Sequence, residues 1–144
     1  MKVDFWQLSN DGPQKVVALI ARRVLDEGER LLVVSADAGQ RADISRALWH
    51  AGAESFLANG EAGAPGAERQ PVLLSDTPDA ANAASHVVFA DGVFRDPKSF
   101  ARAFLLFDET TKADARKVWR SLDGQPDLER AFFEQEDGRW VKKA

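Results

Sequence analysis

Cysteine is absent from the 144-residue sequence. That excludes a disulfide framework, a thiolate nucleophile, an iron–sulfur cluster and a cysteine-bound zinc. Histidine is scarce: His50 and His86 are the only two. They are not spaced as metal ligands with a nearby carboxylate, and both are read as surface or packing residues. No apolar run approaches the roughly 20 residues needed to span a bilayer. Asp4 and Gln7 interrupt the apolar stretch that a secretory signal would need after Lys2. A cytoplasmic protein with no membrane partner is expected. Nineteen basic against twenty-three acidic residues give a net charge of -4, which speaks against a surface that grips nucleic acid along the whole chain. Catalytic motifs are missing too. Gly60, Gly63 and Gly66 read G-x-x-G-x-x-G, not the dinucleotide fingerprint, and do not sit between a strand and a helix. A phosphate-binding loop and a G-x-S-x-G elbow are both lacking. No cofactor, metal or catalytic residue is assigned.

What is present is the material for one well-packed domain spanning residues 1–144. Apolar residues make up 44% and charged residues 29%, a balance that supports a core. Val3 to Leu8 reads as a first strand. Pro13 opens a helix in which Val16, Ile20 and Val24 share a face with Val17, Ala21 and Leu25, and Gly28 is a C-terminal stop. Leu31 to Val34 is a continuous apolar run, the mark of a strand buried on both faces. Asp37 starts a second helix whose Ile44, Ala47, Leu48 and Ala51 line one side. This alternation predicts a doubly wound α/β unit. Asn59 to Gln70 is read as a surface loop. Pro71 to Leu74 and Val87 to Phe89 are further strands, with Thr77 to Ala84 a loop or single helical turn between them. Phe100 to Phe107 is another strand. Asp108 is expected to cap a third helix running from Glu109 to about Leu122. Asp137-Gly138 between Leu128–Gln135 and Arg139–Lys142 is a strong hairpin signal.

The third helix carries the uneven part of the charge. Lys112, Arg116 and Arg120 recur every four residues, and Lys117 joins them. Between 112 and 120 four basic residues face one acidic residue, Asp114, a local charge of +3. Ala115, Val118, Trp119 and Leu122 form the adjoining apolar face, with Trp119 at its border. Three readings compete: a packing helix with a solvated basic back, a short nucleic-acid stripe, and one wall of a pocket for an apolar anchor beside a carboxylate. A second candidate surface is Trp49 with Phe56 and Leu57, either core residues or a partner-binding knob.

Taken in order, these segments resemble the chi subunit family of bacterial DNA polymerase III. The resemblance rests on Val3-Asp4-Phe5-Trp6-Gln7-Leu8, on Ala47-Leu48-Trp49 followed by Glu54-Ser55-Phe56-Leu57, and on Gln70-Pro71-Val72-Leu73-Leu74. It continues through Phe89-Ala90-Asp91-Gly92, Leu106-Phe107-Asp108, Ala115-Arg116-Lys117-Val118-Trp119-Arg120 and Asp137-Gly138-Arg139-Trp140. It implies a Rossmann-like, mostly parallel sheet flanked by helices, with no nucleotide site and no catalysis. It also implies two partners. One is the acidic C-terminal tail of single-stranded-DNA-binding protein, which ends in Pro-Phe; the other is the psi subunit or the clamp loader itself. By the same resemblance Arg116 holds the tail's terminal carboxylate, with Lys112 one turn earlier. Trp119 and Leu105 flank the terminal Phe, and Lys117 and Arg120 attract the acidic stretch. Trp49, Phe56 and Leu57 match the side that meets psi, although Ala58-Asn59 stands where the family often has Pro-His. The alternative is a small α/β enzyme or nucleotide binder that shares only the topology.

Overall fold

The computed structural model describes residues 1–51 and 57–144. Its elements run β1 (Lys2–Gln7), α1 (Pro13–Asp26), β2 (Leu31–Val34), α2 (Ala38–Trp49), β3 (Asn59–Glu61), a short 3-10 turn (Ala67–Arg69), β4 (Val72–Ser75), β5 (His86–Phe89), β6 (Arg102–Phe107), α3 (Lys112–Ser121), β7 (Glu129–Glu136) and β8 (Arg139–Lys142). Eight strands form one sheet in the order β3-β4-β2-β5-β6-β1-β7-β8. Every pairing is parallel except β7 with β8. The expected α/β class and the C-terminal hairpin are both present. Asp137 (φ 49°) and Gly138 (φ 78°) both have positive φ, the backbone signature of a two-residue turn matched to strand twist.

Side chains alternate across the sheet and build two cores. One face gathers Trp6, Leu31, Val33, Val72, Leu74, Val88, Phe104 and Leu106 beneath α1 and α2. Val16, Val17, Ile20, Ala21 and Val24 of α1 are buried there, and each larger side chain contributes roughly 1.5–3 kcal/mol. Asp37 caps α2, its Oδ1 accepting from the Gly39 and Gln40 amides at 2.8 and 3.2 Å. The opposite face gathers Val3, Phe5, Leu32, Phe89, Leu105 and Phe107 with Ala115 and Leu122. There α3 and irregular segments form the cover.

Two expectations need correction. Asn59 to Gln70 is not only loop: it contains the edge strand β3 and the 3-10 turn. Asn59 pairs with Val72, and its side chain binds Ser45 Oγ at 2.6 Å and the Leu57 carbonyl at 2.9 Å. These bonds order a segment that has no apolar pattern. Asp108 does not cap α3, which begins at Lys112 after Thr111. Its Oδ1 instead accepts from the Thr110 and Thr111 amides and from both hydroxyls, making a tight polar turn that delays the helix by one turn. Gly92 lets that turn pack closely. It has φ 80°, and a Cβ there would lie 2.7 Å from Thr111 Cγ2. Phe56 lies outside the described residues.

Candidate functional site

The helical cover is thinner on the α3 face, and a cavity of about 340 Å³ opens beside α3. Its floor follows from strand register. Phe5 of β1 stands between Leu105 of β6 and Phe132 of β7. One row along, Gln7 stands between Phe107 and Glu134. Phe5, Gln7, Phe107, Phe132 and Glu134 line the cavity from the sheet, and Ala144 reaches it from beyond β8. Lys112, Ala115, Arg116 and Trp119 line it from α3. The spacings 112, 115/116 and 119 place these residues on one helical face. Edge-to-face contacts hold the aromatic wall, with Phe5 and Trp119 at 5.1 Å and Trp119 and Phe132 at 6.5 Å between centroids. Phe107 and Phe132 stack at 5.9 Å.

The rim is cationic and poorly neutralised. Lys112 has a loose 3.8 Å contact with the exposed Glu109, worth little in water. Among the described residues no carboxylate lies within ion-pair distance of Arg116, Lys117 or Arg120. Arg116 therefore presents its guanidinium fork to an incoming anion without first having to leave a partner. Glu134 adds one carboxylate on the sheet side. The arrangement suits a ligand with an aromatic or apolar end, an anion beside it, and a direction set by Glu134.

The sequence-derived residues divide into three groups. Lys112, Arg116 and Trp119 line the cavity together. Lys117 and Arg120 are exposed on α3 outside its lining. Leu105 belongs to the same cross-strand row as Phe5 but is completely buried and does not line it. On the other surface Trp49 is 45% exposed at the end of α2, whereas Leu57 is 7% exposed and packs into the α1 core. Sequence reading missed Phe5, Gln7, Phe107, Phe132 and Glu134 as lining residues. Their alternation along strands was visible, but their adjacency depends on pairing β1 with segments about one hundred residues away.

A different crevice lies where α/β sheets commonly bind ligands, outside the carboxyl ends of the strands. It measures about 130 Å³ and is lined by Leu8, Gln40, Asp91, Asp108, Thr110 and Thr111 among others. Burial works to raise the Asp91 pKa, but bonds from Arg95 and from the Ala36 and Val93 amides outweigh it and hold the group below its ordinary range. The Thr110 hydroxyl, joined by Thr111 and the two amides, holds Asp108 low as well. Two ionised carboxylates repel a phosphate. Among the described residues no group of three or more His, Asp or Glu side chains is placed to hold a metal, and no helix is long and apolar enough to cross a membrane.

The fold and cavity thus define a class: a Rossmann-like α/β module with a cationic, aromatic-floored cleft on one sheet face. The model of the family described as DNA polymerase III chi subunit, HolC, matches residues 1–126. The chain belongs to that family. Among curated proteins none matches the sequence.

Proposed function

We propose that this chain is a non-catalytic accessory subunit that links the clamp-loader assembly of DNA polymerase III to single-stranded-DNA-binding protein, whose acidic C-terminal tail it holds in the α3 cleft. One observation carries the reading: Arg116 and Lys112 line the same cavity as Phe5, Phe107, Trp119 and Phe132. An aromatic pocket with a guanidinium at its mouth matches a chain end in which a Phe ring and a carboxylate are neighbours. Arg116 donates to that carboxylate, bidentate where the fork allows, and the ring enters between Trp119 and the sheet. Lys117 and Arg120, outside the cavity, steer the acidic stretch and raise the association rate. On the opposite side the exposed Trp49 offers an aromatic anchor toward psi or the clamp loader.

The test is calorimetric titration of a synthetic acidic peptide ending in Pro-Phe. Saturable binding that weakens with salt is expected. Arg116→Glu lowers affinity at least about 30-fold, the scale for reversing a charge that meets a buried anion. Equal affinity for both proteins, or no binding by the parent, rejects the reading.

A further inference from the structure

Arg130 lies outside the cavity lining, yet it grips the wall that shapes it. The sheet register sets its place: Val3 pairs with Ala103 and Arg130, and the next row on that face is Leu105, Phe5 and Phe132. Arg130 is therefore one row below the aromatic floor, on the α3 side. Its Cζ lies 4.3 Å from the centroid of the Trp119 ring. Its Nη1 donates to the Trp119 carbonyl oxygen, and its Nη2 donates to Asp123 Oδ1 at 3.0 Å. That carbonyl belongs to the last turn of α3, where a helix leaves its acceptors open. One guanidinium thus holds both the ring and the backbone of the same residue, while the Phe5 and Phe132 edges meet the indole elsewhere.

We infer that Arg130 is a positioning residue for the cleft: it fixes the Trp119 indole and the last turn of α3 against the sheet, so that the pocket is formed before a ligand arrives. The inference rests on the proposed cleft function for its consequence, not for its geometry. A pocket wall that must be immobilised on binding weakens affinity by about three- to tenfold per side chain. Arg130 removes that cost in advance. A planar fork can stack on the ring and reach the carbonyl at once, whereas a lysine ammonium does one or the other.

The experiment uses the full chain labelled with 5-fluorotryptophan. The Trp119 fluorine line is identified among the four tryptophans by its loss in Trp119→Phe. Arg130→Met is expected to shift and broaden that line and to weaken the acidic Phe-terminated peptide about three- to tenfold. The salt dependence of binding stays unchanged, because Lys112, Arg116, Lys117 and Arg120 remain. Arg130→Lys falls between parent and Met variant. Asp123→Asn leaves the line and the affinity as they were, since the ring contact and carbonyl bond persist. The inference fails if Arg130→Met changes neither quantity, if it moves the line without weakening the peptide, or if Asp123→Asn weakens binding equally. If circular dichroism shows that Arg130→Met does not fold, Arg130→Lys decides: an unmoved line and parental affinity overturn the inference. If the parent binds no peptide, the proposed function fails, and the fluorine line alone then decides whether Arg130 fixes the ring.

Discussion

Arg102 and Arg116, on opposite faces of the sheet, are held in opposite ways. Beneath α1, Asp4 is completely buried, and Arg102 donates to its Oδ2 from Nε at 2.9 Å and from Nη2. The same guanidinium covers the Phe104 ring at 4.9 Å. Beside α3, Arg116, Lys117 and Arg120 stand without an ion-pair partner among the described residues. Two helices pack together over the first face, while one ten-residue helix serves the second. The difference teaches where to look for function. Charge paired with a buried carboxylate serves the fold, and unpaired charge on an open cavity wall is available to a partner.

The largest effect is expected at Arg102. Arg102→Met leaves the Asp4 carboxylate buried and unpaired, which costs about 3–5 kcal/mol of stability, measured by urea unfolding. The protein that remains folded should bind the acidic peptide as before. Arg116→Glu does the reverse: binding is lost while the unfolding free energy stays within about 0.5 kcal/mol, as for an exposed residue without a partner. A variant that damaged both properties together would erase the distinction between the faces.

Glu134 sharpens it on a smaller scale. It lines the cleft, and removing its charge with Glu134→Gln should tighten the acidic peptide about two- to threefold, the size of a partly screened charge effect. A calorimetric titration that found weaker binding would make Glu134 a contact and not a repulsive guide.

The pH dependence of stability separates His86, under α1, from the carboxylates at the strand ends. Burial pushes the His86 pKa below its ordinary 6.5, with Glu27 and Glu29 acting upward and Arg102 downward. The unfolded chain therefore takes up that proton first. The His86 contribution is intact above pH 6.5 and is lost as pH falls toward the depressed folded value. Asp91 and Asp108 are also held below their ordinary 3.8, so their contribution disappears only in stronger acid. Thermal melts from pH 8 to pH 3 should fall in two stages, and His86→Gln should remove the first. A single stage in both proteins would contradict the assignment.

Much of this architecture is legible in the sequence because parallel strands buried on both faces read as bare apolar runs. Leu31 to Val34, Val72 to Leu74 and Val87 to Phe89 are such runs, and each lies in a strand of the sheet. The basic stripe of α3 was equally plain, since helical spacing is local. The remaining features depend on distant pairing. β3 is polar in composition and is ordered by β4 and by Asn59 side-chain bonds. The cleft floor needs β6, β1 and β7 in register, and no local pattern reports that. Arg130 carries no local signal of its role, because only the fold lays it over Trp119. The resemblance implies Leu105 beside the terminal Phe, yet Leu105 is completely buried and Phe5, Phe107 and Phe132 line the cavity instead.

The proposed function puts ligand recognition on the α3 face. Amide and indole chemical-shift mapping during titration of the acidic peptide ending in Phe tests it most directly. The largest changes should fall on Phe5, Gln7, Lys112, Arg116, Trp119 and Phe132. Saturable changes centred on α1 and α2 instead would contradict the account.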